Sequence, residues 1–192
     1  MTGRTDAHLF TLENGGFGLI DATQDREATA IRTALARHGG SAGDVQAVFL
    51  THWHYDHAAG ARSFPNAKVY VLQPDAALVE RQGIPVERGL TDGESVDVSG
   101  TKVEVFGLPG HTPGSAAYLV HGVLFLGDSA SSIYDGSVAP NRLISEDADQ
   151  TERALRELVE RLRSRRTEIR HIAFGHQGAV KGLEPLLDWA VR

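Results

Sequence analysis

Thr51-His52-Trp53-His54-Tyr55-Asp56-His57 is the segment from which the fold and the chemistry of this chain can be worked out. It follows the apolar run 45–50, which is typical of a buried strand, and it leads into small residues at 58–60. In a helix, side chains two positions apart point to nearly opposite sides, whereas in an extended loop His52 and His54 project to the same side. Both imidazoles can therefore reach one metal ion, while Asp56 and His57, where the chain turns, can face a second ion beside it.

The density of ligand-type side chains in this segment is itself informative. Three histidines and a carboxylate within six residues would repel or desolvate one another if no cation neutralised them. From the His and Asp frequencies of the chain, a chance H-x-H-x-D-H pattern is expected in on the order of one in a thousand sequences of this length. The pattern therefore predicts a metal site rather than a chance cluster of surface or core histidines.

Three further candidate ligands each follow an apolar strand and a glycine-containing turn. They are His111, Asp128 and His176. A lone histidine beyond a strand is often structural, and a Gly-Asp pair is often only a turn. Sheets in α/β proteins, however, commonly build sites from loops at the carboxyl ends of several strands. Taken together, and with the 52–57 motif before them, the three are interpreted as further metal ligands.

The rest of the chain shows strands interleaved with helices. Hairpins are predicted where apolar runs flank short turns, at 9–20 and at 116–126. Apolar residues at helical spacing predict helices around 28–38, 75–81 and 183–190, and another through 155–162 with Ser145 or Asp147 as its N-cap. This alternation favours a layered α/β protein.

Composition limits the classes of function. The length of 192 residues is that of one domain, so we interpret 1–192 as a single domain. The absence of Cys excludes disulfides, thiolate ligands and a Cys nucleophile. A net charge of −6 argues against a nucleic-acid partner, and the arginine cluster at 161–166 is interpreted as a solvated helix end. Without a secretory-type N-terminal segment or an apolar run of roughly 20 residues, a cytoplasmic protein away from membranes is expected.

From about Ile20-Asp21 onward, the H-x-H-x-D-H motif and the three later candidates together resemble the metallo-β-lactamase superfamily of hydrolases. The resemblance implies an α/β (α+β) fold, namely a four-layer αββα sandwich of two mixed β-sheets flanked by helices. It also implies two ligand sets that the carboxylate of Asp128 bridges. The first set is His52, His54 and His111, and the second set is Asp56, His57 and His176. Asp21 matches a further acidic family position, where it would orient a metal-bound histidine.

The implied chemistry is hydrolysis with two metal ions. Histidine and carboxylate ligands without sulfur suit zinc, and manganese, iron or cobalt is also compatible. Two ions roughly 3.5–4 Å apart would supply a bridging hydroxide near neutral pH for attack on a carbonyl carbon. The expected substrate is a small-molecule thioester, lactone or related ester, with Asp128 and Asp56 as the catalytic carboxylates. Tyr134 is a candidate substrate contact, because lactonases of the superfamily place a Tyr soon after the bridging Asp, and a packed or exposed Tyr is the alternative.

The sequence differs from some branches of the superfamily, and these differences limit the activities that we expect. Antibiotic-hydrolysing members usually have a Cys ligand or lack the bridging Asp, so β-lactamase activity is not expected. Hydroxyacylglutathione hydrolases carry a C-terminal helical substrate domain, whereas only a short segment follows His176, so glutathione specificity is not expected either. A mononuclear-iron sulfur dioxygenase of the same fold is the alternative function, and a non-catalytic binding module is the third.

Overall fold

The loop that carries the 51–57 segment extends from the middle strand of a five-stranded mixed sheet. A computed structural model of the protein describes residues 5–133 and 136–191. The strands of this first sheet are β1 (His8–Thr11), β2 (Phe17–Ile20), β3 (Val45–Phe49), β4 (Lys68–Leu72) and β5 (Arg88–Leu90), in that order. β1 and β2 form an antiparallel hairpin, whereas β2 to β5 run parallel, with Val48 between Leu19 and Val69.

A second mixed sheet has six strands. They are β6 (Ser95–Val98), β7 (Thr101–Gly107), β8 (Ala116–Val120), β9 (Val123–Phe125), β12 (His171–Ala173) and β13 (Ala179–Lys181). Their order is β13-β12-β9-β8-β7-β6, and every neighbouring pair is antiparallel except β9 and β12. A separate antiparallel ribbon consists of β10 (Ala130–Ser132) and β11 (Val138–Pro140).

The described residues contain five α-helices. They are α1 (Thr29–Arg37), α2 (Tyr55–Ala58), α3 (Gln73–Arg81), α4 (Ala148–Leu162) and α5 (Glu184–Ala190). α3 begins at Gln73, two residues before the predicted start near 75. The proline in its first turn is compatible with this start, because the first helical positions need no backbone N–H donor. The single turn α2 was not predicted from the sequence. Within 5–133 and 136–191, no helix is both long and apolar enough to cross a lipid bilayer.

Three apolar cores separate four layers. In the central core the two sheets face each other, and the rings of Phe49 and Tyr118 lie 5.3 Å apart. The outer face of the first sheet packs against α1 and α3, and the outer face of the second sheet packs against α4 and α5. On β3, Phe49 enters the central core and Val48 the outer one, which explains the continuous apolar run of this strand. The predicted αββα sandwich is therefore confirmed.

Strand direction brings the candidate loops to one edge of each sheet. β2, β3 and β4 are parallel, so the loops that follow them leave the first sheet on the same side. β7 and β9 are both antiparallel to β8 and therefore run in the same direction, and β12 is parallel to β9. The carboxyl ends of these strands carry the polar side chains that the sequence analysis selected.

The arginines at and after the end of α4 contact carboxylates of their own chain. The closest pairs are Arg161 with Asp92 at 2.7 Å, Arg163 with Glu160 at 2.7 Å and Arg165 with Glu104 at 2.9 Å. These partly exposed ion pairs are typical of a solvated helix end.

Candidate metal centre

Three imidazoles converge beyond the ends of β3 and β7. The Nε2 atom of His111 is 3.2 Å from Nε2 of His52 and 3.0 Å from Nδ1 of His54. Nitrogens that bind one ion at roughly 2.0–2.1 Å in tetrahedral geometry are separated by about 3.3 Å. The three ring nitrogens therefore have the spacing of ligands to a single ion.

A second group lies beside the first, between α2 and the loop after β12. Asp56 and His57 come from α2, and His176 comes from the loop. Oδ2 of Asp56 is 3.7 Å from Nε2 of His57 and 3.5 Å from Nε2 of His176. One ligand atom from each of the three residues lies within 4.8 Å of the other two, so this group also has room for an ion.

The carboxylate of Asp128 lies between the two groups. Its Oδ1 is 3.5 Å from Nε2 of His57, and its Oδ2 is 3.2 Å from Nε2 of His176. The same Oδ2 is 3.9 Å from Nε2 of His111, which belongs to the first group. The structure thus brings together all seven residues that the sequence predicted as metal ligands.

Close packing around Asp128 accounts for the glycine that precedes His176. A Cβ atom on Gly175 would lie 2.2 Å from Oδ1 of Asp128 and 2.7 Å from Cε1 of His57. Both distances are far below van der Waals contact, so only glycine fits at this position.

Asp21 and Thr51 orient two of the imidazoles. Asp21 has a φ of 57°, a left-handed conformation that costs a non-glycine residue on the order of 1 kcal/mol. Its carboxylate accepts hydrogen bonds from Nδ1 of His57 at 2.8 Å and from the backbone N–H of Thr51 at 2.8 Å. The Thr51 hydroxyl donates to Asp21 at 2.9 Å and lies 3.0 Å from Nδ1 of His52, from which it can accept. Both rings therefore present Nε2 to the centre of the cluster.

The cluster separates protonated from neutral imidazoles. Burial, and then the neighbouring imidazoles, lowers the pKa of His52 well below its usual value, and burial lowers the pKa of His111 to about 4. Burial also acts to lower the pKa of His57, but the carboxylates of Asp21 and Asp128 more than offset it and raise that pKa to about 10. Burial likewise opposes ionisation of Asp128, but the hydrogen bond from His176 and the nearby His57 ring hold its pKa well below the usual range.

Two buried atoms of the cluster fit a bound cation. Nε2 of His57 and Oδ1 of Asp128 are buried, and among the described residues neither has a partner in hydrogen-bonding geometry. Leaving such groups buried and unsatisfied is costly, whereas coordination to a metal ion would satisfy both. The donor set of imidazole nitrogens and carboxylate oxygens suits zinc and similar divalent ions. The residues present therefore fit two such ions.

Three residues around the cluster were not selected from the sequence. The Thr5 hydroxyl donates to Oδ2 of Asp56 at 3.0 Å, Thr51 links Asp21 to His52, and Asp75 lies beneath the first group. Asp75 could have been found, because it follows an apolar strand as the predicted ligands do. Thr5 carries no such pattern. Tyr134 lies outside the described residues.

Comparison with known proteins identifies the family. The sequence model of the metallo-beta-lactamase superfamily matches residues 3–165. The chain therefore belongs to the metallo-beta-lactamase superfamily, as its motifs indicated.

Three individual proteins show how similar this chain is to known members of the family. The hydroxyacylglutathione hydrolase of Salmonella typhi is 36% identical over 131 residues, which are 66% of this chain and 48% of the relative. That of Aeromonas hydrophila is 37% identical over 94 residues, 46% of this chain and 34% of the relative. The chain thus spans half or less of the length of these curated relatives. A solved metallo-beta-lactamase from Pontibacter korlensis shares the fold, with a TM-score of 0.76 at 16% identity over 97% of this chain and 91% of that one.

Proposed function

We propose that the chain is a hydrolase with two divalent metal ions and that it acts on a small-molecule thioester, lactone or related ester. Zinc is the first candidate for the ions, and iron or manganese is the alternative. The position of Asp128 carries the proposal, because its carboxylate lies 3.2 Å from His176 in one ligand group and 3.9 Å from His111 in the other. In this proposal His52, His54 and His111 would hold the first ion. Asp56, His57 and His176 would hold the second, and Asp128 would serve both.

The chemistry divides between the ions and the side chains that hold them. If bound, two such ions would supply a water activated near neutral pH and polarisation of the substrate carbonyl group. The chain's own residues supply position and charge. Asp21 and Thr51 keep Nε2 of His57 and His52 directed at the centre, and Asp128 offsets the repulsion between two dications. Asp56, whose side chain is 42% exposed, would orient the attacking water in this proposal.

The relatives support an acyl thioester as the first substrate to test. Two proteins named hydroxyacylglutathione hydrolase share 36–37% of residues with this chain over the matched segments. More than half of each relative lies outside the match. The proposal therefore covers hydrolysis of the acyl thioester bond and does not assign the thiol part of the substrate. Lactones and simple esters belong to the same reaction class, since their carbonyl carbon is attacked in the same way.

Metal analysis combined with a substrate panel tests the proposal. Protein purified without chelator should carry close to two transition-metal ions per chain and should hydrolyse at least one member of a panel of acyl thioesters and lactones. Chelator-treated protein, reloaded separately with zinc, manganese, iron or cobalt, identifies the ion that restores the rate. One iron per chain together with oxygen uptake would replace the proposal by the sulfur dioxygenase alternative. A folded protein that binds no metal would overturn both.

A further inference from the structure

A buried carboxylate outside the proposed ligand sets lies beneath the first group of imidazoles. Asp75, on α3 directly after β4, is fully buried. Its Oδ2 accepts hydrogen bonds from the backbone N–H of Trp53 at 3.0 Å and from the hydroxyl of Thr112 at 2.7 Å. Its Oδ1 accepts from the backbone N–H of Gly114 at 2.8 Å. One side chain therefore joins two loops that are far apart in the sequence.

Each of those loops carries ligands of the first ion. Trp53 stands between His52 and His54, and Thr112 directly follows His111. The carboxylate of Asp75 lies close to the backbone of the second loop, since a Cβ atom on Gly114 would lie 2.5 Å from Oδ1 of Asp75. Among the described residues, the donors to Asp75 belong to these two loops, not to α2 or to the loop of the second group.

The two loops need such a link because they come from different sheets. The 52–54 loop follows β3 in the first sheet, and the 111–114 loop precedes β8 in the second. Strand pairing within a sheet cannot fix their separation. Besides Asp75, a backbone hydrogen bond from Ala116 N–H to the Thr51 carbonyl at 2.8 Å connects them. A buried carboxylate is costly, so an apolar side chain here would be easier to accommodate if packing were the only demand.

We propose that Asp75 is a positioning residue for the first metal ion, because it fixes the 52–54 loop against the 111–114 loop so that three imidazoles meet at one point. The inference rests on the ligand sets of the proposed function. It assigns Asp75 no contact with the ion or the substrate.

The variant Asp75→Asn tests this role at constant side-chain shape. An amide has one acceptor oxygen, so its NH₂ group must face either the N–H of Gly114 or the N–H of Trp53. Whichever way the amide turns, one backbone N–H, that of Trp53 or that of Gly114, loses its acceptor and faces a donor, while the Thr112 hydroxyl can bond to either end of the amide. We expect the affinity for the first ion to fall about 10–100-fold, as for other residues that orient metal ligands, while the second ion binds as before.

Two variants, each with only one complete ligand group, allow the two sites to be measured separately. Cobalt(II) alone is the probe, and its visible absorption is the readout. In His176→Ala only the first group is complete, and in His111→Ala only the second. Asp75→Asn should weaken cobalt binding in the first background and not in the second. Asp44→Asn is the matched control, because Asp44 also accepts from a backbone N–H and a hydroxyl, those of Ser41, on the exposed 42–44 turn.

A smaller change covers the case in which Asp75→Asn does not fold. Thr112→Val removes only the hydroxyl donor and should weaken the first site about fivefold, whereas Thr112→Ser should restore it. Unchanged cobalt affinity in folded Asp75→Asn, or equal losses in both backgrounds, would overturn the positioning role. A wild-type protein that binds no cobalt would instead overturn the proposed function itself, so the two failures are distinguishable.

Discussion

His57 differs from the other imidazoles of the cluster in its protonation. The carboxylates of Asp21 and Asp128 raise its pKa to about 10, whereas burial lowers the pKa of His111 to about 4. At neutral pH an ion that binds His57 must therefore displace a proton, and an ion that binds His111 meets a neutral ring.

We expect the affinity of the metal-free protein for the second ion to rise with pH, by about tenfold per unit, until His57 loses its proton near pH 10. The sign follows from competition, because below that pKa the proton and the ion compete for the same nitrogen. Calorimetric titration at pH 8 in two buffers of different ionisation enthalpy measures the proton released. Asp21→Asn should reduce the release, since it removes a charge that raises the pKa. Binding without proton release in the wild type would contradict the assignment of His57.

Asp128→Asn separates a bridging carboxylate from a simple turn residue. The amide keeps size and shape but loses the charge that offsets repulsion between two dications. Affinity for the second ion should fall at least 10–100-fold, leaving about one ion per chain, and hydrolysis should move to higher pH. Elemental analysis after dialysis and a pH–rate profile measure both effects. Two tightly bound ions with an unchanged profile would show that Asp128 does not bridge.

At the level of elements, the loop that carries His176 is held by the segment that precedes β1. The backbone N–H of Asp6 donates to the carbonyl of Gly175 at 2.7 Å, and its carboxylate accepts from the N–H of Gly178 at 3.0 Å. The neighbouring Thr5 hydroxyl donates to Asp56, so the same segment contacts both Asp56 and the loop that carries His176.

Thr5→Val removes that hydroxyl with little change in volume. A hydrogen bond to a ligand carboxylate contributes about 1 kcal/mol, so the second ion should bind about fivefold more weakly and the first ion unchanged. Thr33→Val is the control, because the Thr33 hydroxyl donates to the Thr29 carbonyl on the exposed face of α1. Cobalt titration of both variants makes the comparison. Equal affinity of Thr5→Val and wild type would exclude a role for this segment at the site.

α4 stabilises the fold without contributing a ligand. Leu158 is buried against the second sheet, so Leu158→Ala should lower the free energy of unfolding by about 2–5 kcal/mol through the cavity it leaves. Leu143→Ala, at a fully exposed side chain, should change it by less than about 0.5 kcal/mol. Urea denaturation of the metal-free protein gives both values, and the folded fraction of each variant should still bind two ions. A loss of metal from folded Leu158→Ala would mean that α4 shapes the site.

At the scale of the whole molecule, the proposed ligands come from both sheets, so bound ions would join the two halves of the sandwich. Ions that bind only the folded protein should stabilise it by about 2.7 kcal/mol per site at a free concentration 100 times Kd. We therefore expect Tm to rise with free zinc and to fall when chelator is added, with His111→Ala showing a smaller rise. Differential scanning calorimetry at several zinc concentrations tests this, and a Tm independent of zinc would contradict it.

The sequence predicted those parts of the molecule that depend on local pattern. The 45–50 strand, the α4 helix and the 52–57 motif follow from spacing over a few residues, and the family resemblance supplied their arrangement in layers. The short, partly exposed strands β10, β11 and β13 were not predicted, because such strands depend on pairing with other segments more than on their own residues. Asp75 and Thr5 contact residues 37 and 51 positions away in the sequence. The apolar strand before Asp75 marks it only as a candidate, Thr5 carries no such pattern, and neither partner could be predicted from local sequence. That 1–192 forms a single domain stays a prediction.

The hydrogen bond between Asp6 and Gly175 also has a consequence for biosynthesis. A ribosome delivers the 52–57 motif long before His176 has been made, and that motif alone offers imidazoles to any ion it meets, including tightly binding copper. The segment before β1 can close on the 175–178 loop only after the last ligand has emerged. All the proposed donors are therefore in place only after residue 176 has left the ribosome and the 175–178 loop has docked on the segment before β1.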